Sequence, residues 1–182
     1  QLQPGDKIKL HNHRDLAAWD GEGSSAQGWL LGLLIGDGTF ADDRAILSFR
    51  GSTADYMAQQ ALGAVKSVLK TRADFSIQQV EERDELQTRT IALKNLAEAF
   101  GVVPGQKTIT NRIEQTSSEF YRGFLRGLFD ADGSVLDGGE KGLLVRLAQS
   151  DLGLLERAQR MLLRLGINST IYQHRRAEGS RR

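Results

Sequence analysis

Cysteine is absent from this 182-residue sequence, which excludes disulfide bonds and thiolate metal sites. No apolar run reaches the roughly 18 residues that a membrane-spanning helix needs. The first residues also lack the basic and then apolar order of a signal peptide. From these absences we expect a cytoplasmic protein that does not enter a membrane.

Two further kinds of chemistry lack the residues that they require. No Ser-His-Asp or Cys-His arrangement is readable, which argues against a hydrolase that uses a nucleophilic side chain. The histidines do not have the spacing of a shared metal site, and we interpret the first two as incidental. They are His11, His13 and His174.

A strong net charge is missing as well. The formal charge is +1, far from the basic balance of many nucleic-acid binders. A role in binding DNA would therefore depend on where the basic side chains lie. The hydrophobic fraction of 40% is sufficient for a globular core, and the length suits one domain or two small halves that share a core.

A short motif occurs twice, 95 residues apart. Residues 28–38 read GWLLGLLIGDG and residues 123–133 read GFLRGLFDADG, so that glycine, an aromatic ring, leucine, aspartate and glycine recur in register. A single copy is typical of an ordinary packing helix followed by a turn. Two complete copies in register favour a functional pair, in which Asp37 matches Asp132.

The segments that follow each motif repeat as well. We predict an α+β fold, a pseudo-twofold pair of αββαββα units of which the second is truncated, because 50 residues follow Asp132. The first unit is expected to contain strands at 45–50, 74–80 and 86–93, a helix ending at Lys70 and a short helix at 96–100. The second unit is expected to contain a strand at 143–148, a helix from Ser150-Asp151 to a stop at Gly166, and a strand at 167–174.

The chain divides into four parts by composition. Residues 1–14 contain a turn and a short strand that resemble the remnant of another domain, and residues 15–23 have the composition of a linker. The two repeats then occupy residues 24–115 and 116–182.

Both repeated motifs are predicted to form helices with defined ends. Ser24 with Gln27, and Thr116 with Glu119, have the spacing of a capping box at the helix N-terminus. The glycine of each Asp-Gly pair is expected to end its helix in the left-handed conformation.

Small residues spaced four apart define one face of each helix. Three glycines in one helix are costly, at roughly 1 kcal/mol each, unless that face meets another backbone closely. We therefore expect the two faces to pack together, with their C-terminal ends side by side. The residues are Gly28, Gly32 and Gly36 in the first helix, and Gly123, Gly127 and Ala131 in the second.

This packing predicts that Asp37 and Asp132 lie next to each other. Two adjacent carboxylates repel, and a divalent cation removes the conflict. Oxygen ligands suit Mg²⁺, and the backbone carbonyls of Gly36 and Ala131 are expected to face the same site. Two or three such ions would polarise a phosphodiester and activate a water molecule. The strands after each helix would form a twisted sheet that lies along DNA.

Segments 30–38 and 125–133 resemble the two motifs of the LAGLIDADG homing endonucleases. The second copy is close to the family pattern, whereas the first has Ile35 at a position that is often acidic and Gly36 in place of alanine. The family's catalytic aspartate corresponds to Asp37 and Asp132. The stretch 2–8, and the run 100–102 with Lys107, resemble the type of endonuclease embedded in an intein.

The resemblance implies a monomeric enzyme that cuts a long asymmetric duplex site with Mg²⁺, joined in cis to the rest of an intein and its host protein. It also implies that Lys107 stabilises charge at the scissile phosphate and that Gln149 holds water near the metals. An ordinary surface lysine is the alternative interpretation of Lys107. Splicing motifs are not in place at either end, so we do not expect this fragment to splice alone.

Alternate outward residues of the sheet are expected to contact the DNA, although each alone could be a plain surface residue. The candidates are Arg44, Ser48, Arg50, Gln78, Gln79, Lys141, Arg146, Gln173 and Arg175.

Two other functions are compatible with the same scaffold. One is a nucleic-acid-binding protein that does not cut, and the other is a decayed insert carried by an intein. The retention of both aspartates favours the endonuclease over either.

Overall fold

The computed structural model describes residues 3, 18–137, 139 and 142–172, with only the backbone of Glu81. It has the α+β architecture predicted from the sequence. No helix in the described residues is both long enough and apolar enough to cross a membrane. The elements are α1 (Ser25–Gly36), β1 (Thr39–Phe40), β2 (Ala45–Arg50), α2 (Ala54–Val68), β3 (Gln78–Val80), β4 (Glu85–Thr90), α3 (Ile91–Ala99), α4 (Ser118–Asp132), β5 (Gly133–Asp137), β6 (Leu143–Leu147) and α5 (Leu152–Arg164).

The two motif helices, α1 and α4, pack backbone against backbone at the centre of the molecule. A Cβ atom added at Gly32 would lie 2.7 Å from the backbone nitrogen of Leu128, and one at Gly127 would lie 2.9 Å from that of Leu33. Gly28 and Gly123 are equally closed by the facing helix. The predicted contact between the two small-residue faces is confirmed, because only glycine fits at these separations.

The first half wraps a four-stranded antiparallel sheet and helix α2 around α1. The strand order is β1-β2-β4-β3. Alternate residues of β2 are buried, as a half-buried strand requires, and α2 packs against β2 and β4. Helix α1 is buried along most of its length, so it has no polar face. The buried residues of β2 are Ala45, Leu47 and Phe49.

The second half contains a two-stranded hairpin and one packed helix. Strands β5 and β6 pair antiparallel with Val135 opposite Val145, and α5 packs against α4. Several apolar side chains of the hairpin are exposed, including Leu143 at 73%. The strand predicted at 167–174 is wrong for its described part, because residues 167–172 have no regular structure.

The N-terminus of α4 differs from the predicted capping box. Ser117 is the N-cap, and its hydroxyl accepts a hydrogen bond from Phe120 N at 3.1 Å. Thr116 cannot serve, because its buried hydroxyl donates to the carbonyl of Ile113 at 2.7 Å. Glu119 instead pairs with Arg122 on the helix surface. The box at Ser24 and Gln27 is confirmed.

The glycines after the two motif helices do not adopt the predicted left-handed conformation. Gly133 has φ −83° and ψ 160° and begins strand β5, and Gly38 has no positive φ either. Both are closed by the preceding helical turn: a Cβ at Gly38 would lie 2.6 Å from Leu34 Cα. Glycine is needed here because the chain turns back closely over the helix, not because φ is positive.

Two predicted segments have different limits in the structure. The strand predicted at 74–80 is only Gln78–Val80, and that predicted at 86–93 ends at Thr90. Thr90 caps α3 by accepting a hydrogen bond from Ala92 N, so the helix begins five residues before the predicted 96. The cap formed by the Thr90 side chain thus ends the strand and starts the helix within a run of residues whose pattern predicted a longer strand.

The segment predicted as a linker is held against α4 in its described part. The indole N–H of Trp19 donates to the carbonyl of Thr116 at 2.8 Å, and its ring packs edge-on against Tyr121 with centroids 5.0 Å apart. Residues 18–24 therefore fix the start of α1 beside the start of α4.

A methyl group at the helix contact should destabilise the protein strongly. Gly127→Ala removes a poor helix former but drives a Cβ into the backbone of α1, so we expect a net loss of about 2 kcal/mol or more. Gly63→Ala is the matched control, because nothing lies within 4 Å of its Cβ on exposed α2, and a gain of about 0.5–1 kcal/mol is expected. Urea denaturation measures both. Equal effects at the two positions would contradict the close backbone contact.

Candidate functional site

The C-terminal ends of α1 and α4 bring Asp37 and Asp132 to one point. Asp37 is the C-cap of α1 and Asp132 is the last residue of α4. A Cβ atom at Gly36 would touch the Ala131 Cβ and lie 3.0 Å from the Asp132 Oδ2. The two aspartates predicted to be catalytic therefore lie where the helices meet. Gly36 and Ala131, whose backbone carbonyls were predicted to face the metal, lie there as well.

The Asp132 carboxyl lies in an environment that disfavours its charge. Burial raises its pKa above the ordinary range, and the negative charge of Asp37 acts in the same direction. Two groups oppose these effects: Gln149 Nε2 donates a hydrogen bond to Asp132 Oδ2, and Lys107 contributes positive charge. The contact that places Gln149 beside an aspartate agrees with the position expected for it.

Lys107 enters the same site from the loop after α3. Its ammonium donates a hydrogen bond to the carbonyl of Gly38 at 2.6 Å. Burial lowers the Lys107 pKa, while the charges of Asp37 and Asp132 raise it. Lys107 is therefore a positive charge that interacts with both aspartates.

The donor set at this point suits a hard cation with few protein ligands. In the described part of the chain, no group of three or more His, Cys, Asp or Glu residues could enclose a metal. Mg²⁺ is bound through one or two carboxylates and keeps several water molecules, so the pair Asp37 and Asp132 meets its requirements. The repulsion between these carboxylates gives the pair a reason to bind a cation.

Arg50 reaches the first half of the site, although the sequence suggested it only as a DNA contact. It lines a cavity together with Asp37, Thr53 and Asp130, and the charge of Asp37 raises its pKa after the larger effect of Glu85. Glu85 accepts hydrogen bonds from Arg50 Nε at 3.1 Å and Nη2 at 2.5 Å. Sequence reasoning missed Glu85, because only the pairing of β2 with β4 brings it opposite Arg50.

The sheet register decides which predicted DNA-binding residues share a face. Ser48 lies opposite Gln87, and Gln87 lies opposite Gln78, so these three side chains and Arg50 belong to the outer face. Gln79 pairs with Leu86 and points to the other side of the sheet, although both glutamines are exposed. Of these two candidates, only Gln78 shares a face with Ser48 and Arg50, because neighbouring strand residues point to opposite sides.

The remaining DNA-contact candidates do not belong to the outer face of the first sheet. Arg44 precedes β2 and forms an exposed ion pair with Asp43, and Arg146 is exposed on β6 opposite Ser134. Three candidates and the three histidines fall outside the described residues. They are Lys141, Gln173, Arg175, His11, His13 and His174.

Comparison with known proteins places this geometry in a structural class. A family model described as a LAGLIDADG-like domain matches residues 119–182. Mesophilic variants of the homing endonuclease I-DmoI superpose with a TM-score of 0.51 and 18% identity, over 82% of this chain and 78% of theirs. The N-terminal LAGLIDADG domain of DUF199/WhiA superposes with a TM-score of 0.52 and 13% identity, over 92% of this chain and 81% of its own. The chain has the LAGLIDADG fold.

Two curated relatives match nearly the whole chain. They are the ribonucleoside-diphosphate reductase NrdEB alpha subunits of Bacillus subtilis (strain 168) and of Bacillus phage SPbeta. Each is 25% identical over 189 residues, which covers 96% of this chain. The chain spans 17% of the length of these relatives.

Stability should depend on pH through Glu85. Hydrogen bonds from Ser48, Gln87 and Arg50 lower its pKa from 4.5 to about 2, against the opposing effect of burial. Because the Glu85 pKa is lower in the folded state, the carboxylate stabilises the protein at pH values above its ordinary pKa of 4.5. This contribution is lost as the pH falls from about 4.5 to about 2. Its size should be on the order of 2 kcal/mol.

Urea denaturation of the wild type and Glu85→Gln at several pH values measures this contribution. The neutral amide cannot titrate, so the stability difference between the two proteins should shrink as the pH falls toward 2. A difference that stays constant over that interval would show that the Glu85 charge does not stabilise the fold.

Proposed function

We propose that this chain is the DNA-cutting module of a homing endonuclease, which hydrolyses both strands of a long, specific duplex site with Mg²⁺. The observation that carries the proposal is the meeting of Asp37, Asp132 and Lys107 where α1 and α4 end. The outer face of the first sheet, beside this point, supplies polar side chains for DNA contacts.

Each residue at the helix junction has a separate task in this mechanism. Asp37 and Asp132 would hold the cations, and Mg²⁺, when bound, would supply a Lewis acid for the scissile phosphate and for a water molecule. Gln149 orients the Asp132 carboxylate through its amide hydrogen bond. Lys107, held by the carbonyl of Gly38, offsets the negative charge that develops on the phosphate.

One chain supplies both aspartates, which supports a monomer as the active unit. The curated relatives support a setting in which this chain is an insert in a host protein. This chain corresponds to only 17% of their length, and they are named as reductase subunits and not as endonucleases. A segment of that size fits an endonuclease embedded in an intein within a host protein. The natural target is then the site in the host gene at which the coding sequence of the insert is absent. The joining in cis to an intein and the cytoplasmic location stay predictions.

A DNA-binding protein that does not cut is the second candidate. The fold does not decide between the two functions, because the DUF199/WhiA domain shares it without being named as an endonuclease. The presence of both carboxylates beside Lys107 favours cutting, since binding alone would be opposed by two negative charges near the DNA phosphates.

Replacing either aspartate should stop double-strand cleavage. Asp37→Asn and Asp132→Asn keep the shape but remove a charge from the cation site, so we expect a loss of at least about 100-fold. The substrate is a duplex that spans the junction formed when the coding sequence of the insert is deleted from its gene. Cleavage is measured with Mg²⁺ and binding with Ca²⁺, and binding should be retained.

Asp74→Asn is the control for this experiment, because Asp74 forms an exposed ion pair with Arg72 away from the junction and should cut normally. A wild-type protein that binds the duplex and leaves it intact with Mg²⁺ would favour the non-cutting candidate.

Lys107 should contribute through its charge. Lys107→Met should lower the cleavage rate by about 100-fold while DNA affinity changes little, because one ammonium contributes little to binding over a long site. Lys94→Met is the matched control, since Lys94 bonds to the carbonyl of Asp42 and pairs with Glu98 away from both aspartates. Equal cleavage rates for the two variants would identify Lys107 as an ordinary surface lysine.

A further inference from the structure

Glu85 is a buried carboxylate on the sheet face that is proposed to meet DNA. Glu85 is only 2% exposed, although it lies on the same face as Ser48, Arg50 and Gln87. Glutamate is a poor strand former, and a buried carboxylate is costly unless hydrogen bonds satisfy it. A negative charge on this face also repels DNA phosphates. These costs indicate that Glu85 has a specific role there.

The hydrogen bonds of Glu85 join the sheet residues into one row. Arg50 donates to Oε2 through Nε and Nη2, and Gln87 Nε2 donates to Oε1. The carbonyl oxygen of the Gln87 side chain accepts in turn from Arg89 Nε at 2.5 Å. Glu85 is therefore an acceptor that joins donors of the neighbouring strands β2 and β4, Arg50 among them.

The arginine held by Glu85 also interacts with the charge of the first aspartate. Arg50 lines the cavity that contains Asp37, and its side chain is 58% exposed. A guanidinium has five N–H donors in a rigid fork. The Nε and Nη2 contacts to Glu85 orient this fork and leave donors for a phosphate oxygen.

We propose that Glu85 is a positioning residue that fixes the Arg50 guanidinium beside Asp37, so that Arg50 contacts the phosphate of the strand cut at the first half of the site. This inference rests on the proposed endonuclease function. The second half has a different arrangement, in which Gln149 contacts Asp132 directly. Loss of Glu85 should therefore slow cleavage of one strand and spare the other.

Strand-specific nicking tests this role. The full chain, as wild type and as Glu85→Gln, is incubated with Mg²⁺ and the junction duplex, whose two strands carry different fluorophores. Glu85→Gln should slow one strand by about 10-fold or more, change the other by less than about 2-fold, and accumulate nicked DNA. Affinity in Ca²⁺ should change by less than about 3-fold.

Arg50→Lys keeps the positive charge but loses the fork, and it should slow the same strand. The double variant should be no slower than the slower single variant, because both changes remove one arrangement. Equal slowing of both strands, or additive effects in the double variant, would overturn the positioning role.

Glu114→Gln is the matched structural control. Glu114 accepts hydrogen bonds from Arg157 and Arg160 at the opposite end of α4, so its loss removes a comparable ion-pair network away from the aspartates. Both nicking rates should stay within about 2-fold of wild type. A strand-selective effect in Glu114→Gln would show that general destabilisation produces the signal and would overturn the inference.

A readout without cleavage separates this inference from the proposed function. The Arg50 Nε–H is hydrogen-bonded to Glu85, so its NMR signal should be protected from solvent exchange in the wild type and lose protection in Glu85→Gln. Wild-type protein that leaves the duplex intact would defeat the proposed function, and NMR would then decide the Glu85–Arg50 contact by itself. Equal protection in both proteins would overturn the inference in either case.

Discussion

The close backbone contact between α1 and α4 is the constraint on which the rest of the structure depends. Glycines on both helices allow the carbonyl and amide groups of one helix to touch the other, which no larger residue permits. Because the helices run together to their C-terminal ends, Asp37 and Asp132 are brought to one point by packing alone. The position of the two aspartates is thus fixed by a close backbone contact between two buried helices, which gives the support that a precisely arranged site needs.

The same contact brings two carboxylates together, and the remaining groups of the fold only partly offset their repulsion. Asp132 is partly buried close to another carboxylate, and its pKa is raised for both reasons. Lys107 and Gln149 reduce the cost, since each gives the pair a positive charge or a hydrogen-bond donor. A site that holds two carboxylates together and only partly compensates them is suited to a divalent cation, whose binding relieves the remaining repulsion.

The sequence was sufficient for the features that depend on local spacing. The repeated motif predicted the two helices, their contact through glycine and the meeting of Asp37 with Asp132, because residues four apart share a helix face whatever surrounds them. The N-cap of α4 was missed because the Thr116 hydroxyl donates to the carbonyl of Ile113, in a short 3₁₀ turn that the sequence analysis did not predict. Glu85 was missed because its partner, Arg50, is 35 residues away and only strand pairing joins them.

Strand β2 connects the outer face of the first sheet with the aspartates at the helix junction. Its outward residues, Ser48 and Arg50, alternate with the buried Leu47 and Phe49, which pack in the core beneath them. A shift of β2 by one residue would exchange the two sets, so the core fixes the register that places Ser48 and Arg50 on the outer face. Since Arg50 belongs to the same strand and borders the cavity of Asp37, any displacement of β2 also displaces the guanidinium beside Asp37. The two halves are therefore built differently around similar aspartates, because Asp37 has an arginine set by the sheet whereas Asp132 has the amide of Gln149.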